Sequence, residues 1–310
     1  MYTIGIDVGG MSIKGGLVSQ EEIKIKSTVQ TNQIGGGDTL VSDIELLVGD
    51  ILKQANITIE EIESIGVGIP GPVTSNNHVS MVNLNIEDYP LDIKLKEKFK
   101  NTKIAIGNDA NVAAYCEYKY GSMKGYKSGV MITLGTGLGG GIVVNDSLIS
   151  GTNGIAAEIG HMIIGENYYD CNCGNNGCFE TFCSATAIIK YTQTLVSNGR
   201  ETIIRQMCED NLENITAKMV FDAYKENDEL ALEIVERFRK YLAIGLANIV
   251  NFIDPGVITI GGGVSNASEI LLEGMKERIL THLPFKKTKI ADISIATFKN
   301  DAGILGSSAL

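Results

Sequence analysis

No run of apolar residues here reaches the length that a membrane-spanning helix requires. The N-terminus opens directly on a strand-like segment, with no basic-then-apolar leader ahead of it, so the expected location is cytoplasmic and no membrane partner is expected. Basic residues are in deficit: 26 Lys and Arg stand against 37 Asp and Glu, a formal net charge of −11. That balance argues against nucleic acid as a partner. An anionic substrate such as a nucleotide would then depend on local backbone amides and a metal ion. Proline is scarce, 5 residues against 36 glycines, and the glycines gather in particular turns, where they act as backbone devices. Two phosphate-binding signatures are missing. No Gly-Lys-Ser/Thr occurs, which excludes a Walker loop. Gly135-x-Gly137-x-Gly139 leads into a strand-like segment with no suitably spaced acidic residue after it, which excludes a dinucleotide fingerprint.

With 310 residues, 44% of them apolar and 20% charged, the chain exceeds what one core usually serves, and two domains are expected. Residues 2–8 read as a strand ending at Asp7 and the pair Gly9-Gly10, and residues 12–18 and 23–31 continue a meander. A helix is predicted over 38–54, where Leu40, Ile44, Leu47, Val48 and Ile51 keep a 3.6 period. A strand over 64–69 is halted by Pro70-Gly71-Pro72; a helix (91–99), a strand (103–107) and a helix (110–120) follow. The second half restarts with a strand (130–134), the turn Gly135-Thr136-Gly137 and a strand (139–144). Helices are then expected over 185–196, 217–224 and 228–252, and a strand over 257–260 that runs into Gly261-Gly262-Gly263. A helix over 269–280, a strand over 292–296 and a short last helix complete the pattern. The same grammar stated twice implies two related α/β domains facing each other, with the cleft between them as the default site. The expected boundaries are 1–115, completed by about 298–310, and 116–297.

The densest chemistry lies in His161-x9-Cys171-x-Cys173-x4-Cys178. Three thiolates and one imidazole make a full tetrahedral set, the closed, structural kind of zinc site, and glycines between the last cysteines let the backbone turn around a small ion. The competing redox pair suffers from a Cys-x-Cys spacing too tight for an easy disulfide and from a reducing compartment. Cys116, Cys183 and Cys208 are left as buried thiols. The flanking Glu158 and Glu180 are not needed as ligands and require another role. Asp109, in Gly107-Asn108-Asp109-Ala110-Asn111, falls at a strand-to-helix junction. It is either a helix cap or a carboxylate placed to accept the proton of an attacking hydroxyl. Asn83, Asn108, Glu158 and Glu180 together offer the donors and acceptors that a polyhydroxylated ligand demands. Asp7 is placed to hold Mg2+ through water.

Asp7-Val8-Gly9-Gly10, Gly68-Ile69-Pro70-Gly71-Pro72, Asn108-Asp109-Ala110-Asn111, Leu134-Gly135-Thr136-Gly137, Glu158-Ile159-Gly160-His161, the segment from Cys171 to Glu180 and Asp254-Pro255-Gly256 through Gly263 resemble, in this order, the motifs of the ROK family. That resemblance covers almost the whole chain. It implies two actin-like (ribonuclease H-like) α/β domains around a cleft, with a zinc-binding insertion at 161–178 in the second. It further implies ATP-dependent phosphorylation of a hexose, usually at the 6-hydroxyl, with Asp109 as general base. Gly71, Asn83, Asn108, Asp109, Glu158, His161 and Glu180 would form the sugar site. Asp7, Gly9, Gly10, Lys14, Thr136, Gly137 and Gly262 would lie near ATP and Mg2+, and His161, Cys171, Cys173 and Cys178 would hold zinc. Glucose is the first-choice sugar; N-acetylmannosamine or a glucoside is the alternative. A non-enzymatic sugar sensor could dispense with Asp109, which is present. The family's repressors carry an added N-terminal DNA-binding domain, whereas Asp7 arrives almost at once here. A homodimer is the family habit. The sequence departs from the pattern at Met11, where threonine is usual, with Ser12 next.

Overall fold

In the computed structural model, which describes residues 2–310, β1 (Tyr2–Val8) buries Ile4, Ile6 and Val8 on one face and Gly5 on the other. β1 pairs antiparallel with β2 (Ser12–Ser19), which pairs antiparallel with β3 (Glu22–Gln30). On its other side β1 runs parallel to β4 (Ile62–Ile69), and β4 runs parallel to β7 (Lys103–Asn108). The sheet order is β3-β2-β1-β4-β7. Between β4 and β7 the chain makes a small hairpin, β5 (Val79–Met81) and β6 (Ile86–Tyr89), that the sequence reading did not anticipate.

The second sheet has strands β8 (Gly129–Leu134), β9 (Leu138–Val144), β10 (Ser147–Leu148), β11 (Val257–Gly261) and β12 (Asp292–Ile295). Its order is β10-β9-β8-β11-β12, the same third-second-first-fourth-fifth sequence as in the first sheet. β11 is parallel to both β8 and β12.

α1 (Gly36–Ala55) lays Leu40, Val41, Ile44, Leu47, Val48 and Ile51 on one face of the first sheet. α2 (Leu91–Lys98) and α3 (Asp109–Tyr120) flank β7. The second sheet is accompanied by α4 (Ala185–Ser197), α5 (Ile204–Met207), α6 (Ala217–Lys225) and the long α7 (Glu229–Ile253). α7 starts at the Asp228 cap, which accepts from the Ala231 N–H, and stops where Asp254 turns left-handed at φ 49°. The single helix expected over 269–280 is two: α8 (Ser268–Leu272) and α9 (Met275–Thr281). Gly274, left-handed at φ 63°, breaks it, a conformation glycine adopts without strain.

α10 (Ala302–Ser308) returns to the first sheet. Adjacent residues of β2 show that it covers the face opposite α1: a Cβ on Gly15 would meet Leu47 of α1, whereas one on Gly16 would meet Ile304 of α10. The α10 backbone lies directly on the strands. A Cβ on Gly5 would fall 1.8 Å from the Ile304 carbonyl oxygen, and one on Gly66 would fall 1.7 Å from that of Ser307. The entry to this helix is fastened by buried Glu117 of α3, whose Oε1 accepts the Thr297 and Phe298 N–H groups.

By contacts the chain forms two units. One comprises the chain up to Ser128, Gly141–Ala157 and Ala296–Leu310; the other comprises Gly129–Gly140 and Glu158–Ile295. The first therefore runs past residue 115, because α3 packs against α10, and it takes back the end of β9 with β10.

Gly66→Ala must push α10 off the sheet, since backbone and not a movable side chain blocks the new methyl group. The expected loss is about 1–3 kcal/mol of stability, read as a lower denaturant midpoint at unchanged slope.

Candidate functional site

In the first unit, β1 hands over to a tight glycine turn. The Gly9 N–H donates to the Ser12 carbonyl at 3.0 Å, while Thr31 Oγ1 and Gln33 Nε2 donate to the Gly9 and Gly10 carbonyls. Met11 occupies the turn with its side chain 82% exposed, so the usual threonine's place is held by a solvent-facing thioether. Ser12 is already the first residue of β2. Asp7 lies across from Lys14 in the β1–β2 register. Its carboxyl sits so close over α10 that a Cβ on Gly303 would come within 2.6 Å of Cγ. Burial pushes the Asp7 carboxyl above the usual carboxylate range, and the Lys14 ammonium pulls it part of the way back. A carboxylate desolvated in this way fits a neighbouring cation.

At the end of β7, Asn108 and Asp109 divide their duties. Asn108 is the helix cap: its Oδ1 accepts from the Ala110 and Asn111 N–H groups at 3.0 and 3.2 Å, and its Nδ2 donates to the Gly71 carbonyl at 3.2 Å. Asp109 is the first helical residue and is exposed, with Oδ1 taking the Ala110 N–H at 2.8 Å. The capping role that competed for Asp109 thus belongs to its neighbour. Gly71 is required at its position because a Cβ there would lie 2.1 Å from the Ser80 carbonyl oxygen. Asn83 stands exposed in the turn Val82–Leu84 between β5 and β6. Beside Asn108 opens a cavity of about 250 Å3 whose polar lining, including Thr74, Ser75, Asn77, Asn111 and Ser150, carries no ionisable side chain. Asn111 Oδ1 is buried there without a donor. Of these neighbours of Asn108, Asn111 fell within a motif quoted from the sequence without being assigned to a site; isolated Asn, Ser and Thr carry no distinguishing pattern.

In the second unit, Gly135-Thr136-Gly137 closes the β8–β9 turn through a Gly135 N–H to Gly137 carbonyl bond of 3.0 Å. Gly262, at φ 82° after β11, packs on the end of β8, where a Cβ would meet the Leu134 carbonyl oxygen at 2.4 Å. Thr136 and the neighbouring Gly263 line one cavity of about 590 Å3. Its other wall is a face of α6, with Lys218, Phe221, Asp222 and Lys225 at helical spacing. That mixture of an apolar ring, glycine backbone and a few charges suits a base and ribose. The α6 wall went unread in the sequence, because i, i+3, i+4, i+7 spacing there looks like any amphipathic helix.

The cysteine segment also lies in this unit. His161 Nδ1, Cys171 Sγ, Cys173 Sγ and Cys178 Sγ fall within 4.8 Å of one another. His161 Nδ1 to Cys171 Sγ is 3.7 Å and Cys173 Sγ to Cys178 Sγ is 3.6 Å. A tetrahedral ion with metal–sulfur bonds of about 2.3 Å requires edges of about 3.7 Å, so the donor set fits one. Gly174 and Gly177 make the turn at φ 91° and 86°. The Asn175 N–H draws the Cys173 thiol down to about 7, toward the thiolate that a metal takes. His161 turns Nε2 toward Glu158, with Oε2 3.9 Å away. Glu180 joins this segment to the glycine turn: Oε1 accepts from Cys171 Sγ at 2.9 Å, and Oε2 accepts the Leu138 N–H at 3.3 Å. The structure thus gathers Asp7, Gly9, Gly10 and Lys14 in one place, Gly71, Asn108 and Asp109 in another, and Thr136, Gly137, Glu158, His161 and Glu180 around the metal donors.

A twice-used sheet order with a glycine turn between the first two strands of each sheet defines an α/β protein of the actin-like ATPase class. Within that class the chain belongs to the ROK family, whose profile matches residues 3–310. It is 37% identical over 313 residues to a glucokinase of Halalkalibacterium halodurans, spanning 100% of this chain and 94% of that one. Over 310 residues it is 30% identical to an N-acetylmannosamine kinase of Haemophilus influenzae, spanning 99% and 94%. Among solved structures, a ROK family glucokinase from Streptomyces griseus in complex with glucose and AMPPNP matches with a TM-score of 0.80 at 28% identity, covering 100% of this chain and 98% of that one.

Two substitutions separate the duties of Asn108. Asn108→Ala removes the cap and is expected to cost about 0.5–2 kcal/mol in chemical denaturation. Asn108→Asp keeps a capping oxygen and loses only the bond to Gly71, so its stability should stay within a few tenths of a kcal/mol of the parent, roughly the spread among good caps.

Proposed function

We propose that this protein is an ATP-dependent hexose kinase whose substrate is glucose and whose product is glucose 6-phosphate. The observation that carries the reading is full-length similarity to glucokinases, 37% identity with all of this chain covered. Asp109 is the general base. Asn108 meets the capping requirement of α3, and the Asp109 carboxylate stands at an exposed helix start. Its carboxylate takes the proton of the sugar 6-hydroxyl as that oxygen bonds to the γ-phosphorus and the bond from phosphorus to the β,γ-bridging oxygen breaks, releasing ADP. Gly71, Asn83, Asn108, Glu158, His161 and Glu180 orient the sugar. The backbone at Gly9, Gly10, Gly137 and Gly262 approaches the phosphates without a Cβ in the way, with Lys14 and Thr136 nearby. Asp7 would hold Mg2+, which, when bound, offsets the charge of the β- and γ-phosphates.

The metal is zinc, held by His161, Cys171, Cys173 and Cys178, with no coordination position left for water. Because Nδ1 faces the ion, the tautomer of His161 is fixed and Nε2 carries the proton offered to a sugar hydroxyl. The protein works in the cytoplasm as a homodimer. N-acetylmannosamine is the second reading, supported by the 30% identity to a kinase of that sugar.

A coupled assay with glucose, N-acetylmannosamine, N-acetylglucosamine, mannose and fructose tests the proposal. The highest kcat/KM should fall to glucose, and preference for N-acetylmannosamine would replace the first reading by the second. Asp109→Asn should lower kcat by about 100-fold or more with a much smaller change in glucose affinity. Retained turnover would remove Asp109 from its role.

Zinc loss is expected to damage sugar binding first, since Glu158, His161 and Glu180 belong to the donor segment itself, whereas the Gly135–Gly137 turn is tied to that segment through Glu180. Cys173→Ser should drop zinc from about one per chain to little and weaken glucose binding more than ATP-analogue binding. In the parent, bound zinc should fall as pH falls, because protons compete for the thiolates.

A further inference from the structure

A cavity of about 510 Å3 lies where α4, α7 and α9 meet, and none of its lining residues belongs to the groups described above. In a chain of net charge −11, it gathers Arg237, Lys240 and Arg278 with a single carboxylate, Glu236. That carboxylate is spent on one partner: Arg278 Nη1 and Nη2 donate to its two oxygens at 2.5 and 2.8 Å. The next acid along α7, Glu233, is paired with Arg200 at 2.9 Å. Arg237 and Lys240 therefore remain as uncompensated charge on the cavity wall.

Arg237 is held in advance of any ligand. Its guanidinium lies 4.4 Å from the Tyr191 ring centroid and 5.1 Å from those of Tyr241 and Phe182, and Nη2 donates to Asn167 Oδ1 at 3.1 Å. An arginine already fixed in place loses little conformational freedom when an anion arrives. Lys240 also lies over Tyr241, with Nζ 5.5 Å from the ring centroid. One guanidinium fork satisfies a carboxylate, whereas two cations about one turn apart on α7, with the paired Arg278 of α9 beside them, suit a tetrahedral dianion. The Tyr191 and Tyr241 rings that hold Arg237 also form part of the cavity wall.

We propose that this cavity binds a small phosphate ester, at a site separate from the reaction centre. The site also has a physical connection to the metal segment. Asn167, which accepts from Arg237, donates through Nδ2 to the Thr181 carbonyl at 2.8 Å and takes the side chain of Asn176 on its own backbone. The Phe182 ring stacks on Tyr241 at 4.0 Å. Fixing Arg237 thereby steadies the stretch from 167 to 182 that carries three metal donors and Glu180.

The probe is glucose 6-phosphate, titrated calorimetrically into protein already saturated with glucose and a non-hydrolysable ATP analogue, so that the proposed reaction centre is filled. The parent should bind the ester, and the charge reversal Lys240→Glu, at an exposed position, should weaken it about tenfold or more. Arg278→Gln should weaken it in the same direction. Amide exchange across 167–182 should slow on binding. No binding by the parent, or equal binding by both variants, would overturn the site; binding without slowed exchange would overturn the connection. The titration reads binding and not turnover, so it stands apart from the kinase proposal: loss of kinase activity on every sugar would leave its outcome readable.

Discussion

The close seat of α10 on the first sheet governs what the first unit can present. Gly5 and Gly66 let the carbonyls of Ile304 and Ser307 lie where side chains would otherwise be, and Ser307 Oγ returns a hydrogen bond to the Ile6 carbonyl at 2.8 Å. Within that short helix, Gly303 accommodates the Asp7 carboxyl and Gly306 accommodates the Val112 backbone of α3. One packing contact therefore fixes both the end of β1 and the start of α3, the two places that carry Asp7 and Asp109. Small residues in α10 are a steric requirement of this packing.

The second unit solves a different problem. From His161 to Thr181 the chain has almost no regular structure beyond two single turns and isolated bridges. Its order comes from the four clustered donors, from Asn176, whose amide reaches Asn167, Tyr169 and Asp170, and from Phe179, whose ring presses on Gly245 of α7. Glu180 ties this irregular stretch to the glycine turn of the second sheet. A polar side chain placed on such a loop is only as well positioned as the donor cluster and hydrogen bonds that order the loop.

The regular architecture and the metal donors were legible because both have short-range signatures. Apolar strands ending in paired glycines, the stripe from Leu40 to Ile51, and cysteines at close spacing each follow from local chemistry. Gly274 was legible in principle, yet the surrounding apolar period masked it and the helix over 269–280 was drawn through. The division between Asn108 and Asp109 was not legible, since both residue types cap helices and only the φ/ψ of the junction decides. Nor were the α6 wall and the Arg237 cage: Phe221, Lys225, Tyr191 and Tyr241 occupy ordinary amphipathic positions, and what distinguishes them is which other helix they meet.

The placement of α10 also orders events during synthesis. Residues 62–69 give β1 its parallel partner early, but the helix that covers the second face of the sheet is encoded after residue 300. At about 5–20 residues per second, more than ten seconds pass before that helix leaves the ribosome. Through this interval Gly5 and Gly66 offer bare strand backbone with no side chain to shield it. The second unit, encoded in between, is complete first. The nascent chain thus carries an unfinished sheet past a finished neighbour, and the step that closes it is the docking of seven residues, Ala302–Ser308.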